Sequence, residues 1–288
     1  MLGLGRLRSA VRPRLVTCRL ASSVFKFAGG SSSISEKGRY PLVCYLASKD
    51  ERVFSTFKRN YFYRQILEHV SQPLGAEYLD VINEYGLFSP EDWQEFSKND
   101  LYGSPIMAAY NILGKNVTIS PTTIRYAKVL CDILAMYDVS AIKSVAEIGI
   151  GYGGQCRLIR TKLPGAAYTL IDLPEVLGLA EKYLSLYPEC RENIRYVDGG
   201  HLYLDDDYDL VISNYAFSEL RRDVQDMYID KVILKSKRGY ITYNPLSYKY
   251  LDGYSDDELL AKIPGSEKID ERPLTYEGNC IIVWGRKN

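Results

Sequence analysis

Apolar positions along the chain change rhythm near residue 140. Upstream they recur at helical intervals. Residues 57–70 place Tyr61, Ile66 and Val70 among charges, which predicts a helix. Residues 77–86 carry Tyr78, Leu79, Ile82 and Tyr85 on one face, closed by Gly86. Ser89-Pro-Glu-Asp92 and Ser120-Pro-Thr-Thr123 read as helix starts, each a capping serine followed by proline at the first helical position. The second helix is expected to run to about Tyr137, with Ile124, Ala127, Leu130, Cys131 and Leu134 inward.

Downstream, short apolar runs alternate with helical stretches. Strands are predicted at 145–148, 168–172, 194–197, 209–213 and 239–243. Helices are predicted at 155–162, 174–187, 223–234 and 256–262. Two closing strands, 268–272 and 280–284, have only 273–279 between them, so a hairpin joins them. Short strands separated by helices imply a parallel sheet covered on both faces. The fold class is therefore α/β: a doubly wound, mostly parallel seven-stranded sheet with an antiparallel strand near its edge. Three parts follow: a basic arm over 1–35, a helical region over 36–140, and a ligand-binding domain over 141–288.

Ligands of such sheets bind at the C-terminal strand ends. The first strand ends in Val145-Ala-Glu147-Ile-Gly149-Ile-Gly151-Tyr-Gly153-Gly154. Three alternating glycines let the backbone turn sharply and lie against a ligand. In a dinucleotide fingerprint the acid follows about 20 residues later; here Glu147 precedes the first glycine and Asp172 ends the next strand. A carboxylate beside a pyrophosphate would repel it, whereas S-adenosylmethionine (SAM) is a cation without phosphate. The pattern resembles motif I of class I SAM methyltransferases. Glu147, Gly149, Gly151 and Gly153 are then expected at the donor's amino-acid end. Asp172 and Leu173 fall at its ribose, and Asp198 at its adenine amino group. Asp172 could equally cap the helix at Pro174, and Asp198-Gly-Gly could equally be a plain turn.

The fourth strand runs into Ser213-Asn-Tyr-Ala-Phe-Ser-Glu219 and the fifth into Tyr243-Asn244-Pro245. Asn214 and Tyr215 are expected to line the methionine end of SAM. Glu219 is the first candidate for general base and His201 the second. Glu219 also fits an acid in the first turn of a helix. Asn244 faces the same cleft, and Tyr102, Tyr110, Arg125 and Tyr126 are candidates for the acceptor side. The Asp205–Asp209 acid run precedes a strand, away from the cleft, and reads as a solvated turn.

These segments, with Ile171-Asp-Leu-Pro174 and Gly278-Asn-Cys-Ile-Ile-Val-Trp-Gly285, resemble the bacterial sugar O-methyltransferase family. Asn99-Asp-Leu-Tyr-Gly-Ser-Pro105 and Ser120-Pro-Thr-Thr-Ile-Arg-Tyr126 resemble its helical N-terminal part, so the likeness covers residues 60–286. It implies methyl transfer from SAM to a hydroxyl of a sugar in a polysaccharide, a lipid-linked glycan or a glycosylated metabolite. An O-methyltransferase of phenolic or other small secondary metabolites is the alternative. A nicotinamide-dependent oxidoreductase and a non-catalytic SAM-fold partner are more distant ones.

Composition narrows the picture little. Lys and Arg balance Asp and Glu at 36 each, so charge gives no reason to expect nucleic acid. Six scattered cysteines without a C-x-x-C pair, and two histidines, read as buried thiols in a reducing, cytoplasmic compartment and propose no metal site. Residues 1–35 hold six basic residues and no acid. A solvated arm, a segment contacting anionic lipid at a membrane surface, and a cleaved transit peptide all fit that composition. The sequence carries no signal for oligomeric state.

Overall fold

The computed structural model of the protein describes residues 38–287. The basic arm at 1–35 and Cys18 lie outside the described residues.

A helical layer comes first: α1 (Arg39–Lys49), α2 (Glu51–Phe54), α3 (Tyr61–Arg64), α4 (Gln72–Tyr85) and α5 (Pro90–Ser97). Gly86 closes α4 in the left-handed conformation at φ 62°, and Ser89 with Asp92 forms a reciprocal capping box on α5. The continuous helix expected over 57–70 does not form. The Asn60 side chain accepts from the backbone N–H groups of Phe62 and Tyr63, which restarts the chain as the single turn α3. A hairpin follows that the helical reading did not foresee, β1 (Ala108–Ile112) and β2 (Lys115–Ile119). Its two-residue loop, Leu113-Gly114, has positive φ at both positions. That is the primed-turn geometry of tight hairpins, but leucine at the first position hides the usual Asn-Gly signal.

Helix α6 (Pro121–Met136) is buried along every residue from Pro121 to Ile133. It carries the chain to β3 (Ser144–Ile148), and then α7 (Gly154–Lys162), β4 (Ala167–Asp172), α8 (Pro174–Leu184), β5 (Ile194–Asp198) and β6 (Leu210–Asn214) alternate. Helix α9 (Arg222–Tyr228) passes into a π-helical stretch, Ile229–Ile233, where one uniform helix was expected. After β7 (Gly239–Tyr243) come the short α10 (Leu246–Tyr250), α11 (Asp256–Lys262), β8 (Glu267–Asp270) and β9 (Cys280–Trp284).

The seven strands are ordered β5-β4-β3-β6-β7-β9-β8. The five from β5 to β7 are mutually parallel, and β9 runs antiparallel between β7 and β8. This is the sheet the strand pattern predicted. Alternate residues serve opposite faces. Val145, Tyr168, Leu170 and Ile212 pack toward the helical layer and α6–α8. Ala146, Ile148, Ile171, Val211 and Ile241 pack with Tyr228, Ile229 and Leu259 on the other face. No described helix is long and apolar enough to cross a membrane.

Candidate active site

The strand order reverses between β3 and β6, which leave the sheet in opposite directions and open a crevice at their C-terminal ends. The turn after β3 is built from Gly149, Gly151 and Gly153, at φ 75°, 56° and 85°. Each would be strained by a side chain, and all three are also covered, Gly153 by the Leu184 side chain at 2.8 Å. A Cβ on Gly149 would lie 1.9 Å from the Ala216 Cβ, and one on Gly151 would lie 2.5 Å from the Leu67 side chain. The turn after β6 and the segment after α3 thus close directly on the glycines.

Asp172 holds that turn in shape. Its Oδ2 accepts from the N–H groups of Ile150 (2.8 Å) and Gly151 (3.2 Å), and its Oδ1 from Leu173 N–H (2.7 Å). Burial pushes the carboxyl up to about 6, against the pull of these three bonds. A carboxylate offers about four acceptor positions, so about one remains for a ribose hydroxyl. Glu147 faces inward. It is 2% exposed, takes a 2.8 Å hydrogen bond from the Tyr168 hydroxyl, and is pushed by burial up to about 8. Glu147 thus lies buried at the end of β3, just before the glycine turn, with its carboxyl held by Tyr168.

Asp198, at the end of β5, accepts from Gly200 N–H (2.9 Å) and meets His201 Nδ1 at 3.0 Å. Burial works against its ionised form, but these contacts prevail and hold it below the usual aspartate range. His201 is 71% exposed. Strand β5 lies three strands from β6, roughly 14 Å at normal strand spacing. His201 therefore does not share a site with Glu219, and its role as alternative base is corrected by the order of the strands.

Glu219 closes the 3₁₀ turn Ala216–Glu219 after β6. Its Oε1 accepts from Asn244 Nδ2 at 2.7 Å, and burial raises the carboxyl to about 7 while that bond opposes the rise. Asn244 makes two further hydrogen bonds. Its N–H donates to Ser218 Oγ (3.1 Å), and its Oδ1 accepts from Leu246 N–H (3.0 Å). These bonds fix the Asn244 side chain so that it orients Glu219.

Between α4, α6 and the ends of β6 and β7 lies a small cavity of about 20 Å³, about the space of one water, lined by Tyr78, Arg125, Asn214, Tyr215, Thr242 and Glu271 among others. Tyr215 bends into it from a left-handed backbone at φ 67°, secured by its N–H on Thr242 O (2.9 Å). Its hydroxyl donates to Glu271, which also accepts from Thr275 N–H (2.7 Å) and Asn279 Nδ2 (3.2 Å). Thr242 Oγ1 donates to Asn214 Oδ1 at 3.3 Å. Lys128 and Tyr240 also line the pocket, tied to the buried Asp132 at 2.6 and 2.7 Å.

Arg125 and Tyr126 line this pocket, and Tyr102 and Tyr110 lie away from it. Tyr126 touches its wall yet is 4% exposed, against Gly154 and Tyr152. Tyr102 packs between Phe54 and Tyr187. Tyr110 donates to Gln72 O at 3.1 Å beneath Gly75. Tyr102 and Tyr110 are packing residues, whereas Tyr126 both packs and lines the pocket. Tyr78, Glu271 and Thr242 escaped the sequence reading. The Lys128–Asp132 spacing of four was the one legible signal for this network.

The donor side fits SAM by its chemistry. The turns after β3, β4 and β5, and Tyr215–Glu219 after β6, present carboxylates, an amide and glycine backbone and contain no Lys or Arg that could face a phosphate. They span three strand spacings, with room in order for a base, a ribose and an amino-acid tail.

Residues 122–211 match the family model of the O-methyltransferase domain. No curated protein matches the chain. Among solved structures it is similar to the mitomycin 7-O-methyltransferase MmcR, at 16% identity and TM-score 0.43 over 57% of this chain and 54% of that one. It is also similar to the pyocyanin biosynthetic protein PhzM, at 16% identity and TM-score 0.43 over 58% and 57%. A third is the riboflavin-derivative dimethyltransferase RosA from Streptomyces davawensis, at 17% identity and TM-score 0.40 over 56% of each chain. The chain thus spans a little over half the length of each. The match to the O-methyltransferase domain runs from the first turn of α6 into β6, so it covers the glycine turn, Asp172 and Asp198 and stops short of Glu219 and Asn244.

Proposed function

We propose that the protein is a SAM-dependent O-methyltransferase that methylates a hydroxyl of a sugar, free or within a glycan or glycosylated metabolite. The observation that carries this reading is the Glu219–Asn244 pair, on the turn after β6 whose Ala216 closes on Gly149 of the glycine turn. SAM, when bound, supplies an activated methyl group with a good leaving group. Asp172, Asp198 and the glycine turn hold the donor. Asn244 fixes the rotamer of Glu219, and Glu219 accepts the acceptor's hydroxyl proton as the new C–O bond forms. A carboxyl poised at about 7 is a stronger base than an ordinary glutamate and is still ionised for half the molecules at neutral pH. Arg125, Asn214 and Thr242 offer hydrogen bonds to further hydroxyls of the acceptor.

Within the same class, a phenolic acceptor is favoured by one observation, the tyrosine faces of Tyr78, Tyr126, Tyr215 and Tyr240 in the pocket lining. In either reading residues 36–140 cover the acceptor side and 141–288 form the SAM-binding domain. We propose a cytoplasmic location, with residues 1–35 as the part that would meet an anionic membrane surface.

Two measurements test this. Methyl-labelled SAM is offered with glycosides, nucleotide-linked sugars and phenols, with thermal-shift measurements against SAM and NAD alongside. Label on a saccharide hydroxyl and stabilisation by SAM are expected; label on phenols alone selects the second reading, and stabilisation by NAD alone sinks both. Asp172→Ala should weaken SAM binding by about tenfold or more, since one hydrogen bond to a charged group is worth roughly 1.5–3 kcal/mol. Unchanged affinity in calorimetry would remove Asp172 from the donor site.

A further inference from the structure

A second pocket, about 530 Å³ including its open mouth, lies between the first turns of α4 and α6 and the start of β1. Its lining includes Arg64, Glu68, Gln72, Ile106, Met107 and Thr122. Glu68 is 8% exposed, and its Oε1 has no hydrogen-bond partner among the described residues. It forms no ion pair there either: Lys58 and Arg125 act on it only at longer range. A buried carboxylate oxygen without a donor costs free energy that a ligand's donor would return. Burial also drives the Glu68 carboxyl upward, and Lys58 at longer range and a side-chain hydrogen bond from Thr122 oppose the rise without serving Oε1.

The rest of the lining specifies the ligand. Arg64 is half-buried and can donate only, while Glu68 when ionised can accept only. Val70, Ile106, Met107 and Pro121 add an apolar side. A ring with hydroxyls on its edge and C–H groups on its face satisfies all three at once, because each hydroxyl both donates and accepts. Thr122 lines this pocket and Arg125 the first, about one helical turn apart on α6. Arg125 also reaches the carbonyl of Leu67, the residue before Glu68, at 3.5 Å.

We infer that this pocket is a second carbohydrate subsite, which holds a glycosyl unit next to the one that is methylated, with Glu68 accepting from a ligand hydroxyl and Arg64 donating to a ligand oxygen. It rests on the sugar reading of the acceptor. The test uses the full chain on a printed array of mono- and disaccharides, then calorimetric titration of the tightest-binding disaccharide and of its component methyl glycosides. The wild type should bind that disaccharide at least tenfold more tightly than either component. Glu68→Gln should abolish the preference and leave binding of the methyl glycosides unchanged. Arg64→Ala, at a half-buried position, should act in the same direction and serves if Glu68→Gln does not fold. A wild type without the disaccharide preference, or a preference that survives in both variants, overturns the subsite. Transfer of label from SAM to a monosaccharide in the same preparation leaves the methyltransferase reading standing in that event. Label on phenols and on no saccharide overturns both.

Discussion

Glu219→Gln lowers kcat by about 10²–10⁴-fold, the usual worth of a positioned general base, and leaves SAM affinity unchanged. The amide oxygen of glutamine can still accept from Asn244 Nδ2, so the turn keeps its shape while the proton acceptor is lost. The wild-type rate should fall on the acid side of about pH 7, where Glu219 takes up its proton, and that limb should vanish in the variant. Asn244→Ala moves the limb the other way. The Asn244 amide favours the ionised carboxyl, so its removal lets burial push Glu219 higher and shifts the acid limb to higher pH. Single-turnover rates across pH, with calorimetry for SAM, check both variants. Equal loss of SAM binding in Glu219→Gln would make Glu219 a donor-site or structural residue instead of the base.

Gly149→Ala is expected to lower SAM affinity by more than tenfold and to destabilise the fold by roughly 2–5 kcal/mol. Two costs combine. A side chain at φ 75° costs about 1–2 kcal/mol in the left-handed region. The new methyl group, 1.9 Å from the Ala216 Cβ, must also displace the turn that carries Tyr215 and Glu219, an overpacking cost of about 1–3 kcal/mol. Gly114→Ala separates the two. Gly114 has a similar φ of 78°, and a methyl group added there would meet nothing within 4 Å, so it bears the conformational cost alone. Thermal denaturation of both variants with SAM titrations is the check. If Gly149→Ala proves no worse than Gly114→Ala, the contact between the glycine turn and Ala216 does not shape the site.

The elements most legible in the chain are those whose cause is local. Helices α4, α5 and α6 begin at Ser71, Ser89 and Ser120, each of which caps the helix with its own hydroxyl, and α4 ends at a left-handed Gly86. The alternating glycines must form a tight turn in any fold that accommodates them. Expectations failed where a long-range partner decided the outcome. Residues 57–70 have a helical pattern, yet Lys58 is drawn inward over the Tyr152 ring at 4.1 Å and donates to Asn99 O at 2.6 Å, and the chain breaks at Asn60. Tyr102 and Tyr110 carry groups suited to a sugar, and only packing reveals that both serve the core.

The order of residues was enough to specify the sheet with its antiparallel strand near the edge, the glycine turn, and acids at the ends of β4 and β5, because strand periodicity, turn chemistry and capping act within a few residues. Which of those groups can act depended on the folded arrangement. Folding buried Glu147 beside Tyr168, set His201 three strands away from Glu219, and joined Glu219 to Asn244 across 25 residues and Tyr215 to Glu271 across 56. The reason is physical: burial and long-range hydrogen bonds set a carboxyl's charge and direction, and both depend on the groups that folding brings beside it.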